Sequence, residues 1–220
     1  MGRKLKKSKP LIYVFCEGES EQAYIHFLKD TFSDIAVIKS RVSSDIFEDA
    51  KSQFDKNPIY RNSAEETDEI WLFFDVETRD IDKWDRRIKV VNSLRKLKKK
   101  RIRVRLLMTT GCIEYWLMLH YKMFAPQLQS VPDKERVIAE LRVKEPTYSK
   151  GNYAATAHIA ENYPTAVVNA TKVVQDLLSD GLPGLEDTDE RNRWLYTQCK
   201  TFSTVFEAIN YMEELKRQKQ

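Results

Sequence analysis

Two short runs of consecutive apolar residues, each followed at once by an acidic residue, constrain the fold of this chain most strongly. The sequence LIYVFC fills residues 11–16 and precedes Glu17, and IWLFF fills residues 70–74 and precedes Asp75. Both runs are rich in β-branched and aromatic residues and lack the alternation of a half-exposed strand. Such runs are typical of strands that helices cover on both faces. The chain is therefore expected to contain a parallel β-sheet at its centre.

Helical patterns separate these runs from two further predicted strands. We predict strands at 11–16, 35–42, 69–75 and 104–108, helices at 20–32, 43–56, 84–100 and 112–124, and a loop at 57–66. Ser20 and one of Ser43 and Ser44 are expected to cap the first two helices. Strands that alternate with helices predict right-handed crossovers and an α/β fold. Later in the chain the patterns are helical only, at 133–144, 153–162, 165–179 and 202–216.

The length and composition fit one domain with a helical addition. A chain of 220 residues with 42% hydrophobic residues can bury a substantial core. We predict a basic tail (1–9), an α/β core (10–124) and a helical part packed on that core (125–220). No apolar stretch is long enough to span a membrane. The three cysteines suggest neither a disulfide framework nor a zinc site, so the expected location is the cytoplasm.

Acidic residues follow two of the predicted buried strands. Glu17 follows the first strand, and Asp75 and Glu77 end the third. The carboxyl ends of parallel strands form the edge at which α/β sheets bind ligands. Converging carboxylates repel each other unless a cation neutralises them, and oxygen ligands alone favour Mg²⁺ or Mn²⁺ over Zn²⁺. The alternative is that such acids cap helices or favour their dipoles, an interpretation that is stronger for Glu19 and Glu21.

Basic residues are concentrated in two runs, although the net charge of the chain is only +4. The runs occupy residues 3–9 and 95–105. Lys and Arg side chains that meet phosphates release counterions, so such runs suit a polyanion such as a nucleic acid. A solvated surface is the alternative for each run taken alone.

Four ordered motifs resemble those of a known family. They are VFCEGESE (14–21), WLFFDVE (71–77), CIEYWLMLH (112–120) and YSK (148–150). Together they resemble the RloB-like family of bacterial defence-associated proteins, whose fold is that of the topoisomerase–primase (Toprim) domain. A weaker match is FST (202–204), where the family tends to show Asn-Pro-Ser-Thr.

The resemblance implies a Toprim-like Rossmannoid sheet and a role for each matched residue. Glu17 would be a metal ligand or general base, and Asp75 and Glu77 would hold Mg²⁺. Glu77 is a departure, because the family more often has Asp there. Glu114 would complete a second metal site, and Lys150 would stabilise charge on the scissile phosphate. From the residues alone, Glu114 facing solvent and Lys150 lying on the surface are alternatives.

The resemblance also implies a function and a partner. RloB-like proteins are encoded beside an AAA/ABC-type ATPase, and this chain has no GxxxxGK[ST] sequence of its own. We therefore expect a Mg²⁺-dependent nuclease that cleaves RNA or DNA as an abortive-infection effector and works with that ATPase. The alternatives are a non-catalytic sensor or adaptor that binds nucleic acid or nucleotide, and another phosphoryl-transfer enzyme such as a primase. The helical part could serve as a homo-oligomer interface, a partner-docking surface or a lid.

Overall fold

The computed structural model describes residues 9–98 and 102–219. The predicted basic tail therefore lies outside the described residues, except for Lys9, and so do residues 99–101 of the second basic run. Within the two described ranges, no helix combines the length and the apolar character that a membrane crossing needs.

Four parallel strands form one sheet in the order β2-β1-β3-β4. They are β1 (Leu11–Cys16), β2 (Val37–Val42), β3 (Thr67–Val76) and β4 (Arg103–Thr110). The two apolar runs are the central strands β1 and β3, and their side chains are almost entirely buried. The predicted α/β fold with a parallel sheet flanked by helices is confirmed.

Helices lie on both sides of the described sheet and fill most of the chain after it. They are α1 (Glu19–Thr31), α2 (Ile46–Lys56), α3 (Pro58–Ser63), α4 (Trp84–Leu94), α5 (Ile113–Met118), α6 (Val131–Lys144), α7 (Tyr153–Ala160), α8 (Tyr163–Asp176), α9 (Asp189–Thr197) and α10 (Phe206–Lys219). Two 3₁₀ helices occupy Thr78–Lys83 and Leu177–Asp180.

Two helix starts differ from the prediction. Ser20 lies inside α1 and is buried, and Gly18 takes the N-cap position. The side chain of Asp45, and not Ser43 or Ser44, accepts the capping hydrogen bond at the start of α2. Both differences arise because several residues that can cap a helix occur together, and only tertiary packing selects one of them.

Four further elements were predicted wrongly. The expected loop at 57–66 contains α3, because the Asn57 side chain caps the Ile59 N–H and Pro58 occupies the first helical turn. The expected buried helix 112–124 is regular only over α5, and α4 ends at Leu94. The sequence pattern also missed α9 altogether.

The helices of the second half pack mainly on the helices that flank the sheet, and α10 packs on β4. The helix α7 packs against α1, and α6 and α8 pack against α5. The segment before α10 pairs with the outer edge of β4, where the Thr204 N–H donates to the Met108 carbonyl at 2.8 Å. Residues of both halves thus share one hydrophobic core. The predicted boundary at residue 125 stays a prediction.

Candidate functional site

The carboxyl ends of the two central strands bring Glu17 and Asp75 together. Glu17 directly follows β1, and Asp75 is the second-last residue of β3. The Asp75 N–H donates to Glu17 Oε2 at 3.3 Å. Because β1 and β3 are neighbours and parallel, the two acids lie side by side at one edge of the sheet.

Glu114 joins them from the first turn of α5. The chain turns at Gly111, whose φ of 76° lies in the left-handed region and whose missing Cβ would lie 2.9 Å from the Leu128 carbonyl. A glycine is therefore required at this turn. Glu114 is only 1% exposed, and its Oε1 accepts a hydrogen bond of 3.0 Å from the Tyr148 hydroxyl.

The fourth acid of the cluster is Glu21, for which the sequence pattern favours a helix-dipole role. It lies in the first turn of α1 and is 5% exposed. A Cβ at Gly18 would lie 2.9 Å from Glu21 Oε2, so the glycine leaves room for this carboxylate. The spacing of four residues from Glu17 is the signal that could have found it, because it places Glu21 one helical turn beyond the strand end. We call Glu17, Glu21, Asp75 and Glu114 the acidic cluster.

The acidic cluster is electrostatically strained. Burial raises the pKa of Asp75 well above its usual value, and the other three acids raise it further. Burial and then the charges of Glu17 and Glu114 raise the pKa of Glu21 to about 7. Burial also raises the pKa of Glu17. Three of these carboxyl groups, those of Glu17, Glu21 and Asp75, have raised pKa values, and a bound cation would stabilise their carboxylate forms.

Two buried oxygen atoms of the acidic cluster fit such a cation. Asp75 Oδ1 and Glu114 Oε2 have no hydrogen-bond partner among the described residues. Oxygen donors without nitrogen or sulfur suit Mg²⁺ or Mn²⁺. Within 9–98 and 102–219, however, no three acidic, His or Cys side chains are close enough together to form a ready ligand set. The oxygen donors thus fit a hard divalent ion, but the side chains are not arranged as a complete coordination site.

Glu77 has different neighbours from the acidic cluster. Its two carboxylate oxygens form ion pairs with Lys134 of α6 and with Arg79. A role for Glu77 as a metal ligand would require it to leave these cations. The sequence had placed Glu77 with Asp75, but only the position of α6 reveals the pairing.

Two lysines of the helical half flank the acidic cluster. Lys150 Nζ lies 3.9 Å from Glu114 Oε1, and its side chain is 65% exposed. The positive charge of Lys150 partly offsets the rise in the pKa of Glu21, and that of Lys134 partly offsets the rise in the pKa of Asp75. The structure therefore brings the predicted Lys150 to the site, and it adds Lys134, for which the sequence carried no signal.

The segment that carries Lys150 is fixed to α1 by a close backbone contact. The Gly151 N–H donates to Ser20 Oγ at 3.2 Å. Gly151 has a φ of 75°, and a Cβ there would lie 3.0 Å from the Cβ of Glu19. This contact holds Tyr148 and Lys150 beside Glu114.

The basic run at 95–105 lies at the other end of the sheet. Arg103 begins β4, about 23 Å along the strand from its carboxyl end. Arg105 is buried and forms two hydrogen bonds to Glu69, of 2.7 and 2.8 Å. Arg95 similarly forms two hydrogen bonds to Asp189. Two arginines of this run are thus paired within the protein, and the expectation that the run guides a polyanion to the acids stays a prediction.

Comparison with protein families gives a match that spans both halves of the chain. Residues 12–217 match the family described as RloB-like protein. The chain belongs to the RloB-like protein family. The matched span includes the whole acidic cluster, Lys134 and Lys150, so the resemblance drawn from the four motifs is confirmed for this RloB-like protein. Comparisons with curated proteins and with solved structures gave no match.

Proposed function

We propose that this RloB-like protein is a nuclease that depends on Mg²⁺ or Mn²⁺ and hydrolyses phosphodiester bonds of RNA or DNA at the acidic cluster. The observation that carries the proposal is the pair of buried, unpartnered oxygens of Asp75 and Glu114 within a group of four acids. The resemblance to Toprim-fold proteins supports the same chemistry.

The residues of the site have separate roles in this proposal. Glu17, Asp75 and Glu114 hold the cation, and Glu21 adds negative charge beside them. The bound cation would neutralise phosphate charge and lower the pKa of a water molecule. Where Glu17 does not itself ligate the cation, its carboxylate, whose Oε2 accepts the Asp75 N–H at 3.3 Å, would take a proton from the attacking water. Lys150 and Lys134 stabilise the negative charge that develops on the phosphate.

The biological context of the proposal rests on the family resemblance. We propose a cytoplasmic effector of abortive infection that works with an AAA/ABC-type ATPase. Because the sequence has no GxxxxGK[ST] motif, the partner would supply ATP hydrolysis. The trigger would then act on the partner, and the nuclease would respond to it.

Matched carboxyl substitutions test the nuclease. Glu17→Gln and Asp75→Asn should each lower the rate of Mg²⁺-dependent RNA or DNA cleavage by at least about a hundredfold, because each removes a charge at the reacting centre. Glu19→Gln is the control, since Glu19 lies in the same segment and is exposed. Equal activity of all four proteins, or no cleavage by the wild type even with the ATPase present, would sink the proposal.

Metal binding provides a readout that is independent of cleavage. A cation that binds only the folded protein raises its melting temperature. Mn²⁺ should therefore stabilise the wild type and Glu19→Gln, but stabilise Asp75→Asn much less. If Mn²⁺ raised all three melting temperatures equally, it would be binding elsewhere.

A second candidate function is a sensor or adaptor that binds nucleic acid without cleaving it. The pairing of Glu77 with Lys134 and Arg79 favours this candidate, because it removes one predicted metal ligand and adds cations that suit a phosphate. Such a protein would bind RNA or DNA in the presence of Mg²⁺ and leave it intact.

A further inference from the structure

A cavity of about 260 Å³ opens at the carboxyl ends of β3 and β4, and its lining begins at Val76, the residue after Asp75. We infer that this cavity binds the nucleoside unit next to the phosphate that is cleaved. The inference rests on the proposed function and names the part of the substrate that the same site would recognise. We call the cavity the nucleoside pocket; its lining includes Val76, Glu77, Arg79, Leu128, Val131 and Lys134.

The position of the nucleoside pocket connects it to the acidic cluster. Val76 and Glu77 directly follow Asp75 in the chain and form part of the pocket wall. Lys134 lines the pocket and forms an ion pair with Glu77, two residues after Asp75 in the chain. A nucleotide in the pocket would therefore have its phosphate next to the acidic cluster.

The size and the apolar wall suit a single nucleoside. Small-molecule sites usually measure roughly 300–1,000 Å³, so this pocket of about 260 Å³ lies just below that range and would hold nothing larger than one nucleoside unit. Val76, Leu128 and Val131 supply an aliphatic surface for the face of a base. Val131 is 66% exposed, which leaves an uncovered apolar contact at the pocket mouth.

The charges of the pocket suit a phosphate. Lys134 and Arg79 both pair with Glu77, so the three side chains together carry one net positive charge. The Arg79 side chain is 80% exposed and can turn toward a ligand. A phosphate bound there would face cations on one side and the cation-filled acidic cluster on the other.

One polar group can read the edge of the base. Gln129 Oε1 accepts a hydrogen bond of 2.6 Å from the Thr78 hydroxyl, and Gln129 Nε2 donates to the Cys199 carbonyl. An amide has two acceptor sites and two N–H donors, so one of each is left for a base. Because these contacts fix the amide, Gln129 is the residue that would select among bases.

Cys199 provides a chemical reporter of occupancy. It is half-buried and lines the nucleoside pocket. The other two cysteines of the chain, Cys16 (0% exposed) and Cys112 (5% exposed), are buried and therefore inaccessible to a reagent in solution. Only Cys199 should therefore react readily with iodoacetamide, and a ligand in the pocket should slow that reaction.

The experiment measures the rate of Cys199 alkylation in the full chain with millimolar nucleoside 5′-monophosphate, nucleoside or inorganic phosphate. At about ten times its Kd, the nucleotide should slow alkylation by about tenfold, because only the unliganded fraction reacts. The nucleoside should protect less, and inorganic phosphate least. Arg79→Glu should weaken protection by the nucleotide, whereas Arg136→Glu, an exposed and paired arginine of α6 outside the pocket, should not.

Two outcomes overturn the inference. An alkylation rate that no nucleotide changes would show that the pocket does not bind a nucleoside unit, and the nuclease proposal would stand if cleavage were still observed. If inorganic phosphate protected Cys199 as strongly as the nucleotide did, the pocket would be binding the phosphate alone and not a nucleoside unit. Protection by nucleotide in a protein that cleaves no nucleic acid would support the pocket and overturn the nuclease instead.

Discussion

Glu21 shows how one buried side chain can determine the behaviour of the whole acidic cluster. Its carboxyl group is 5% exposed and its pKa is raised to about 7, so near neutral pH burial and the nearby acids oppose its charge. The folded protein binds more protons than the unfolded chain between the usual value of 4.5 and about 7. Without a bound cation, the contribution of Glu21 to stability should therefore fall as the pH rises through this interval.

The substitution Glu21→Gln tests this behaviour. Without divalent cations, it should raise the free energy of unfolding at pH 8 by about 1–3 kcal/mol, since it removes a buried repulsive charge. The gain should vanish below pH 4.5, where the wild-type carboxyl is neutral in both states. Urea unfolding at the two pH values measures the difference, with Glu19→Gln as the exposed control. A loss of stability at pH 8 would contradict the repulsion.

His120 should give the opposite dependence on pH. It is fully buried between the Trp116 carbonyl (3.1 Å from Nδ1) and the Tyr24 hydroxyl (3.3 Å from Nε2), and burial lowers its pKa from 6.5 to about 4. Between these values the unfolded chain binds the extra proton, so the contribution of His120 to stability falls as the pH falls. The loss attributable to His120 should approach about 3 kcal/mol near pH 4.

Replacing the imidazole isolates this contribution. His120→Gln keeps a polar group at the position but cannot become charged. The difference in unfolding free energy between wild type and variant should shift by this amount between pH 7 and pH 4. The exposed His26 provides the control, and His26→Gln should leave the pH profile unchanged. Parallel profiles for the wild type and His120→Gln would disprove the assignment.

At the scale of elements, the connection from α6 to α7 links the helical half to the acidic cluster. Its Tyr148 donates to Glu114, and its Gly151 contacts α1 through a left-handed backbone conformation. Any side chain at 151 would strain the backbone and push against Glu19. The contact is thus a specific support for the position of Glu114 and Lys150.

A comparison of Gly151 with Gly181, which has a similar backbone conformation, distinguishes the effect of backbone strain from the effect of the contact with α1. Gly151→Ala and Gly181→Ala should each lower the free energy of unfolding by about 1 kcal/mol, because both glycines have positive φ. In the described part of the chain, nothing lies within 4 Å of a Cβ at Gly181. Only Gly151→Ala should therefore also weaken Mn²⁺ binding and cleavage. Equal effects of the two variants on Mn²⁺ affinity would show that the connection does not support the site.

What the sequence could predict at this scale was local. The apolar runs of β1 and β3 predicted the central strands and, with them, the side-by-side positions of Glu17 and Asp75. The Tyr148–Glu114 hydrogen bond joins residues 34 positions apart, and the Lys134–Glu77 pair joins residues 57 apart. The periodic pattern of the sequence cannot predict such contacts, because they depend on how the helical half packs on the rest of the protein. The spacing of four residues between Glu17 and Glu21 could have predicted that Glu21 joins the acidic cluster, although its place in the first turn of α1 favours a helix-dipole role.

At the scale of the whole molecule, the two edges of the sheet carry different charge arrangements. The carboxyl edge places four acids beside Lys134 and Lys150, and the amino edge uses its arginines in internal pairs such as Arg105–Glu69. The sequence alone does not show which arginines of a basic run form ion pairs within the protein and which can bind a ligand. A nucleic acid should therefore approach the carboxyl edge.

The salt dependence of nucleic-acid binding tests which edge is used. In an Asp75→Asn background, which prevents cleavage, Lys150→Ala and Arg79→Ala should each flatten the slope of log K against log salt concentration by about 0.7–0.9, the amount expected for one lost phosphate contact. Arg103→Ala removes a similarly exposed arginine, 54% exposed, from the amino edge and should leave the slope unchanged. If Arg103→Ala flattened the slope and the other two did not, the nucleic acid would bind at the amino edge. The acidic cluster could not then contact the phosphate that the proposed function requires it to cleave.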